Sequence, residues 1–104
     1  MVLYVQHGCA VCREAELALG DLPDGSFVKV FVTASTRPGK AIVWNSKNEP
    51  LFETERCFFN RGFPALGEGG KAPSMFGLDE IESWARAVAT LGGVVQHIPQ
   101  ARGS

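Results

Sequence analysis

The sequence predicts an α/β domain on a mixed four-stranded sheet, with the element order β-α-β-α-β-β-α flanked by helices. Three observations carry this. A short apolar run opens the chain, gives way to helical periodicity, and is followed by a second apolar run, which is a strand–helix–strand unit. A Gly-rich turn separates the last two strand-like runs and makes that pair antiparallel. The 104 residues amount to a single domain.

The elements follow in order. Val2 to Gln6 is an apolar, β-branched and aromatic run, broken by His7-Gly8. From Ala10 to Leu19, Val11, Ala15 and Ala18 fall at i, i+4 and i+7, the spacing of one helix face. Gly20 stops that helix, and Asp21 to Gly25 forms a turn. Phe27 to Val32 is a second strand, parallel to the first through a right-handed crossover. Arg37 to Lys40 is a loop. Asn48 before Pro50 is a helix start, so Leu51 to Asn60 is expected as a second helix, with a hairpin from Ile42 to Glu53 as the competing reading. Phe63 to Leu66 and Lys71 to Phe76 are the third and fourth strands. Leu78 to Leu91 is the clearest helix: Ile81, Trp84, Ala85 and Val88 share a face, Asp79, Glu80 and Glu82 enrich the first turn, and Gly92-Gly93 ends it. The domain is expected over 1–95, with an insertion around 33–49 and a loose tail over 96–104.

Composition narrows the function. Hydrophobic residues make up 45% of the chain and charged residues 20%, an ordinary globular mixture. A net charge of -1 argues against nucleic acid and against anionic membranes as partners. No apolar run approaches the roughly 20 residues of a membrane span. The N-terminus carries no charged leader, so a cytoplasmic location is expected.

The 3 cysteines hold the chemistry. Cys9 and Cys12 form a Cys-x-x-Cys between a strand and a helix. Cys9 falls at the helix N-cap, where free backbone N–H groups and the positive end of the dipole favour a thiolate. That thiolate can attack a disulfide, and Cys12, one turn on, can resolve the mixed disulfide. Two other readings stand beside it. The pair could be half of a zinc site completed by Cys57 and His7 or His97, or it could be packed and inert.

Three segments then carry a resemblance. Tyr4 to Ala15 resembles the opening of glutaredoxins, where a strand leads into Cys-Pro-Tyr-Cys and a helix. Asn60-Arg61-Gly62-Phe63-Pro64-Ala65-Leu66 is similar to the thioredoxin segment Ile-Arg-Gly-Ile-Pro-Thr-Leu. Phe76 to Ile81 resembles the start of the last glutaredoxin helix. The trio points to the thioredoxin-like superfamily in its compact glutaredoxin form.

The resemblance implies a cis Pro64 facing Cys9, with the Phe63 backbone meeting an incoming peptide or thiol. It also implies that Gly77 and Leu78 offer backbone N–H groups to a carboxylate. The chain departs from the pattern at several places: Ala10 and Val11 lie between the cysteines, Gln6 stands for the glutaredoxin Lys, and Gly62 for its Thr.

The expected activity is thiol–disulfide exchange on a protein or small-thiol disulfide, by a monomer with no bound cofactor or metal. Electrons would come from glutathione or a thioredoxin-reductase-type flavoprotein. The alternative is a binding or assembly module with a static disulfide or zinc. His7 is expected either to favour the thiolate or to lie exposed. Arg13 is expected either to favour the thiolate in the same way or to pair with Glu14 or Glu16 on the helix surface. Cys57 is expected to be buried beside Phe58 and Phe59, and Trp44 to pack in the core.

Overall fold

Four apolar residues, Val2–Val5, open the chain as β1 and form an interior strand of the sheet. Side chains alternate across a strand, so Leu3 and Val5 enter one core cluster and Tyr4 enters another on the opposite face. The computed structural model describes the backbone of residues 1–97 and the side chains of residues 1–90.

After β1 the chain turns at Gly8, whose φ of 74° is left-handed and suits a residue without Cβ. It enters α1, Ala10–Leu19, and returns as β2, Val28–Ala34. β1 and β2 are parallel, Val2 opposite Val28, as the strand–helix–strand pattern requires. The buried stripe of α1 is Cys12, Ala15 and Leu19. The expected stripe began one residue early: Val11 is 42% exposed. The i, i+3, i+7 set wins because it turns the larger Leu19 toward the sheet.

The middle of the chain differs from the expected second helix. Lys40–Trp44 is β3 and Pro50–Glu55 is β4, an antiparallel hairpin. Asn48 does not cap a helix. It sits at φ 65° inside the hairpin loop, a conformation asparagine tolerates. The Asn45 side chain closes that loop by accepting the Lys47 and Glu49 N–H groups at 2.9 and 3.0 Å. Only Arg56–Phe59 coils, as a 3-10 turn. β5 is Ala65–Gly67, β6 is Met75–Phe76, and α2 is Gly77–His97. The last strand is thus shorter than the expected Lys71 to Phe76. α2 also runs through Gly92-Gly93, since a helix interior tolerates glycine at a cost near 1 kcal/mol. Gln96 and His97, expected in the tail, belong to α2, and 98–104 lie outside the described residues.

The result is an α/β domain with six strands in the order β4-β3-β2-β1-β5-β6 and two helices, not four strands and three helices. β1–β2 is parallel and the other four pairings are antiparallel.

Both helices pack on one face, over Leu3, Val5 and Leu66, with Leu19, Leu22, Ile81 and Ala85 closing the cluster. The opposite face gathers Tyr4, Val30, Val32, Ala41, Val43 and Ala65 under Phe59 of the 3-10 turn. Burial there pushes the Tyr4 phenol pKa up. Gly67 is the tightest passage: a Cβ there would lie 2.8 Å from the Pro73 Cα. Among the described residues no helix is long and apolar enough to cross a membrane.

Candidate functional site

Cys9 caps α1. Its backbone is extended (φ -89°, ψ 109°), its carbonyl accepts the Arg13 N–H at 3.2 Å, and its Sγ accepts the Cys12 N–H at 3.2 Å. A sulfur at an N-cap satisfies a donor that the helix itself leaves free. No acidic residue occupies the first turn, so no carboxylate competes for the positive end of the helix. The Cys9 and Cys12 sulfurs stand as a disulfide pair with Cα atoms 5.2 Å apart, within the range such a bridge needs. The two cysteines differ in access. Cys12 is 3% exposed and belongs to the helix-side core, while Cys9 is half-buried at its edge.

A cleft of about 570 Å³ opens beside Cys9, between the start of α1 and β2. His7 and Phe31 form its aromatic wall, their rings parallel within 3° at 4.1 Å. Lys29 lies 5.3 Å from the Phe31 centroid on the same strand face and pairs with Glu16 at 2.7 Å. His7 is therefore exposed but held, stacked in the same cleft as Cys9. Arg13 lines this cleft too. The expected Arg13–Glu16 or Arg13–Glu14 pair is absent among the described residues, because Lys29 reaches Glu16 from β2.

The Phe63–Pro64 peptide is cis, and Pro64 is fully buried. Phe63 stacks on Phe59 at 5.2 Å and packs against the same cluster as Cys9 and Leu78. The Gly77 N–H donates to the Pro64 carbonyl at 2.9 Å, so it is satisfied within the protein. The Phe76 N–H likewise goes to Glu80 at 2.8 Å. That bond, reinforced by Arg61, holds the Glu80 carboxyl below the ordinary glutamate range. The structure thus groups His7, Cys9, Cys12 and Arg13 on one cleft, and links Phe63, Pro64, Gly77 and Leu78 at the start of β5 and α2.

Two expectations elsewhere are corrected. Cys57 is an exposed free thiol: a four-residue 3-10 turn can seat only one side, and Phe59 takes it. Trp44 is half-buried, its Nε1 donating to Thr33 Oγ1 at 2.8 Å. Sequence reading missed Lys29 and Phe31. Their i, i+2 spacing on β2 puts them on one face, and Lys29 was the sole charge in that run. Among the described residues no group of three or more His, Cys, Asp or Glu is arranged to hold a metal. No family model, curated protein or solved structure matches the chain.

Proposed function

We propose that this chain is a thioredoxin-like, glutaredoxin-type domain that carries out thiol–disulfide exchange. The observation that carries the reading is Cys9 at the N-cap of α1, half-buried, with Cys12 one turn behind it in the core. The order β2-β1-β5-β6, with β1 and β2 parallel and a cis Pro64 leading into β5, supports the same reading.

The Cys9 thiolate attacks one sulfur of a target disulfide. The Cys9–target bond forms, the target S–S bond breaks, and the leaving sulfur takes a proton. The Cys12 thiolate then attacks Cys9 Sγ and releases the second target thiol. The target gains two electrons and two protons, and the protein ends as the Cys9–Cys12 disulfide. Glutathione or a flavoprotein reductase returns the two electrons. The cycle needs no bound cofactor and suits a cytoplasmic monomer.

Cys9→Ser should abolish reduction of a model peptide disulfide, and Cys12→Ser should trap the mixed disulfide, which mass spectrometry would detect. Unchanged reduction by Cys9→Ser sinks the proposal. A Cys9–Cys12 potential below about -300 mV, with no exchange against glutathione, would mark a static disulfide instead.

A further inference from the structure

A second cavity lies across β1 from the Cys9 cleft. It measures about 240 Å³ and is lined by Gln6, Thr33, Arg56, Phe59, Asn60 and Phe63, among others. Gln6 lines both cavities, and Phe63 lines this one while packing against the cluster that Cys9 joins. The two cavities therefore continue one another around the carboxyl end of β1, the side of an open α/β sheet where ligands bind.

Their charges differ. The Cys9 cleft mixes Arg13 and Lys29 with Glu14 and Glu16. The second cavity has one charged lining residue, Arg56. Lys29, Arg37, Lys40, Arg61 and Lys71 each face a carboxylate. Among the described residues Arg56 has no such partner, as is also true of Arg13 in the Cys9 cleft, Lys47 in the hairpin loop and Arg86 on the exposed side of α2. Its backbone N–H is tied to the Gly39 carbonyl at 3.0 Å, which fixes the start of the 3-10 turn under the side chain. A guanidinium at a neutral, partly aromatic cavity selects a carboxylate, and Gln6, Thr33 and Asn60 supply further hydrogen-bonding groups.

We propose that this cavity is a specificity subsite for a carboxylate next to the reacting disulfide, supplied by a glutamate or aspartate flanking the cysteine of an extended protein segment. The inference rests on the exchange reaction proposed above for its consequence, and on the cavity alone for binding. Arg56 is the specificity residue, in a cavity that neither Cys9 nor Cys12 lines.

The test uses protein pre-reduced with dithiothreitol and desalted, in single turnovers with two matched peptide disulfides. One carries Glu on both sides of each cysteine, the other Gln. Glutathione disulfide is the third substrate and separates a side-chain carboxylate from those of a small thiol. The wild type should reduce the Glu peptide up to about fivefold faster, the upper size of one exposed ion pair. Arg56→Gln should remove that preference. Arg56→Glu should reverse it, and Arg86→Gln, at an exposed position of α2 that lines neither cavity, should not alter it. A preference for glutathione disulfide that Arg56→Gln abolishes, with none between the peptides, overturns the side-chain source. Equal peptide rates in the wild type, or a preference that survives Arg56→Gln, overturn the subsite.

Binding is read separately by NMR, with the same peptides carrying Ser for Cys titrated into the oxidised protein. Shifts of the Arg56, Asn60 and Phe63 amides with the Glu peptide only support the subsite, even if no peptide is reduced and the exchange reaction fails. No shift with either peptide overturns it.

Discussion

On the face carrying Leu3, Val5 and Leu66, α1 and α2 lie side by side. On the face carrying Tyr4, Val30 and Val32, the chain contributes Phe59 from a four-residue turn. Helical cover lets Leu19, Ile81 and Ala85 close over the sheet and fix Cys12 in a dry position. The single turn leaves Phe59 bordered by two cavities of about 180 and 240 Å³. The helix-covered face holds Cys9 and Cys12 beside the cleft of about 570 Å³, and the other face leaves the two smaller cavities around Phe59. Dense cover and the larger opening thus occur together on the α1 side of β1, while the opposite side is covered by one turn alone.

Core truncation should separate the faces most strongly. Leu66→Ala, at a fully buried helix-side position, should cost about 3–5 kcal/mol, and Phe59→Ala about 3 kcal/mol or less, because cavities already adjoin Phe59. Urea unfolding of the two variants checks the order, and a larger loss at Phe59 would mean that the second face is the better packed. Gly67→Ala comes next. The added methyl meets Pro73 backbone at 2.8 Å, so a loss of about 1–3 kcal/mol is expected. Gly8→Ala meets no atom within 4 Å, and its cost of about 1–2 kcal/mol comes from the left-handed backbone alone.

The smallest effect concerns Glu80. Its folded pKa lies below the unfolded one, so its contribution is full above about pH 4.3 and is lost as the pH falls through the folded value. The Tm gap between wild type and Glu80→Gln should therefore narrow on acidification. A gap independent of pH would mean that the ionised carboxylate does not support the start of α2.

The β1–α1–β2 unit and the Cys9–Cys12 pair were legible because they depend on neighbours in sequence: an apolar run, a glycine break and helical spacing. The hairpin was legible only as the competing reading to a second helix. Asn48 and Pro50 serve a helix start and a hairpin loop equally well, and the choice was made by β3 pairing with β2. Arg13 shows the same limit at the site. Its expected partner Glu16 was claimed by Lys29, thirteen positions on from Glu16 and brought close only by the crossover. Cys57 misled because aromatic neighbours imply burial, whereas the turn presents alternate sides. Arg56 carried little local signal, since Gln6 and the β2 and β3 residues around it are distant in sequence.

The hairpin loop at Asn45–Glu49 is exposed from Ser46 onward and closed by its own hydrogen bonds, including Asn45 Nδ2 to Glu49 Oε1 at 2.8 Å. It caps the outermost pair of strands, on the far side of β2 from β1 and Cys9. A fluorescent reporter or affinity tether could be spliced into that tip at Lys47–Asn48, past Ser46, whose hydroxyl donates to the Lys29 carbonyl at 3.5 Å, with Cys9 and Cys12 at the start of α1, which the splice does not enter.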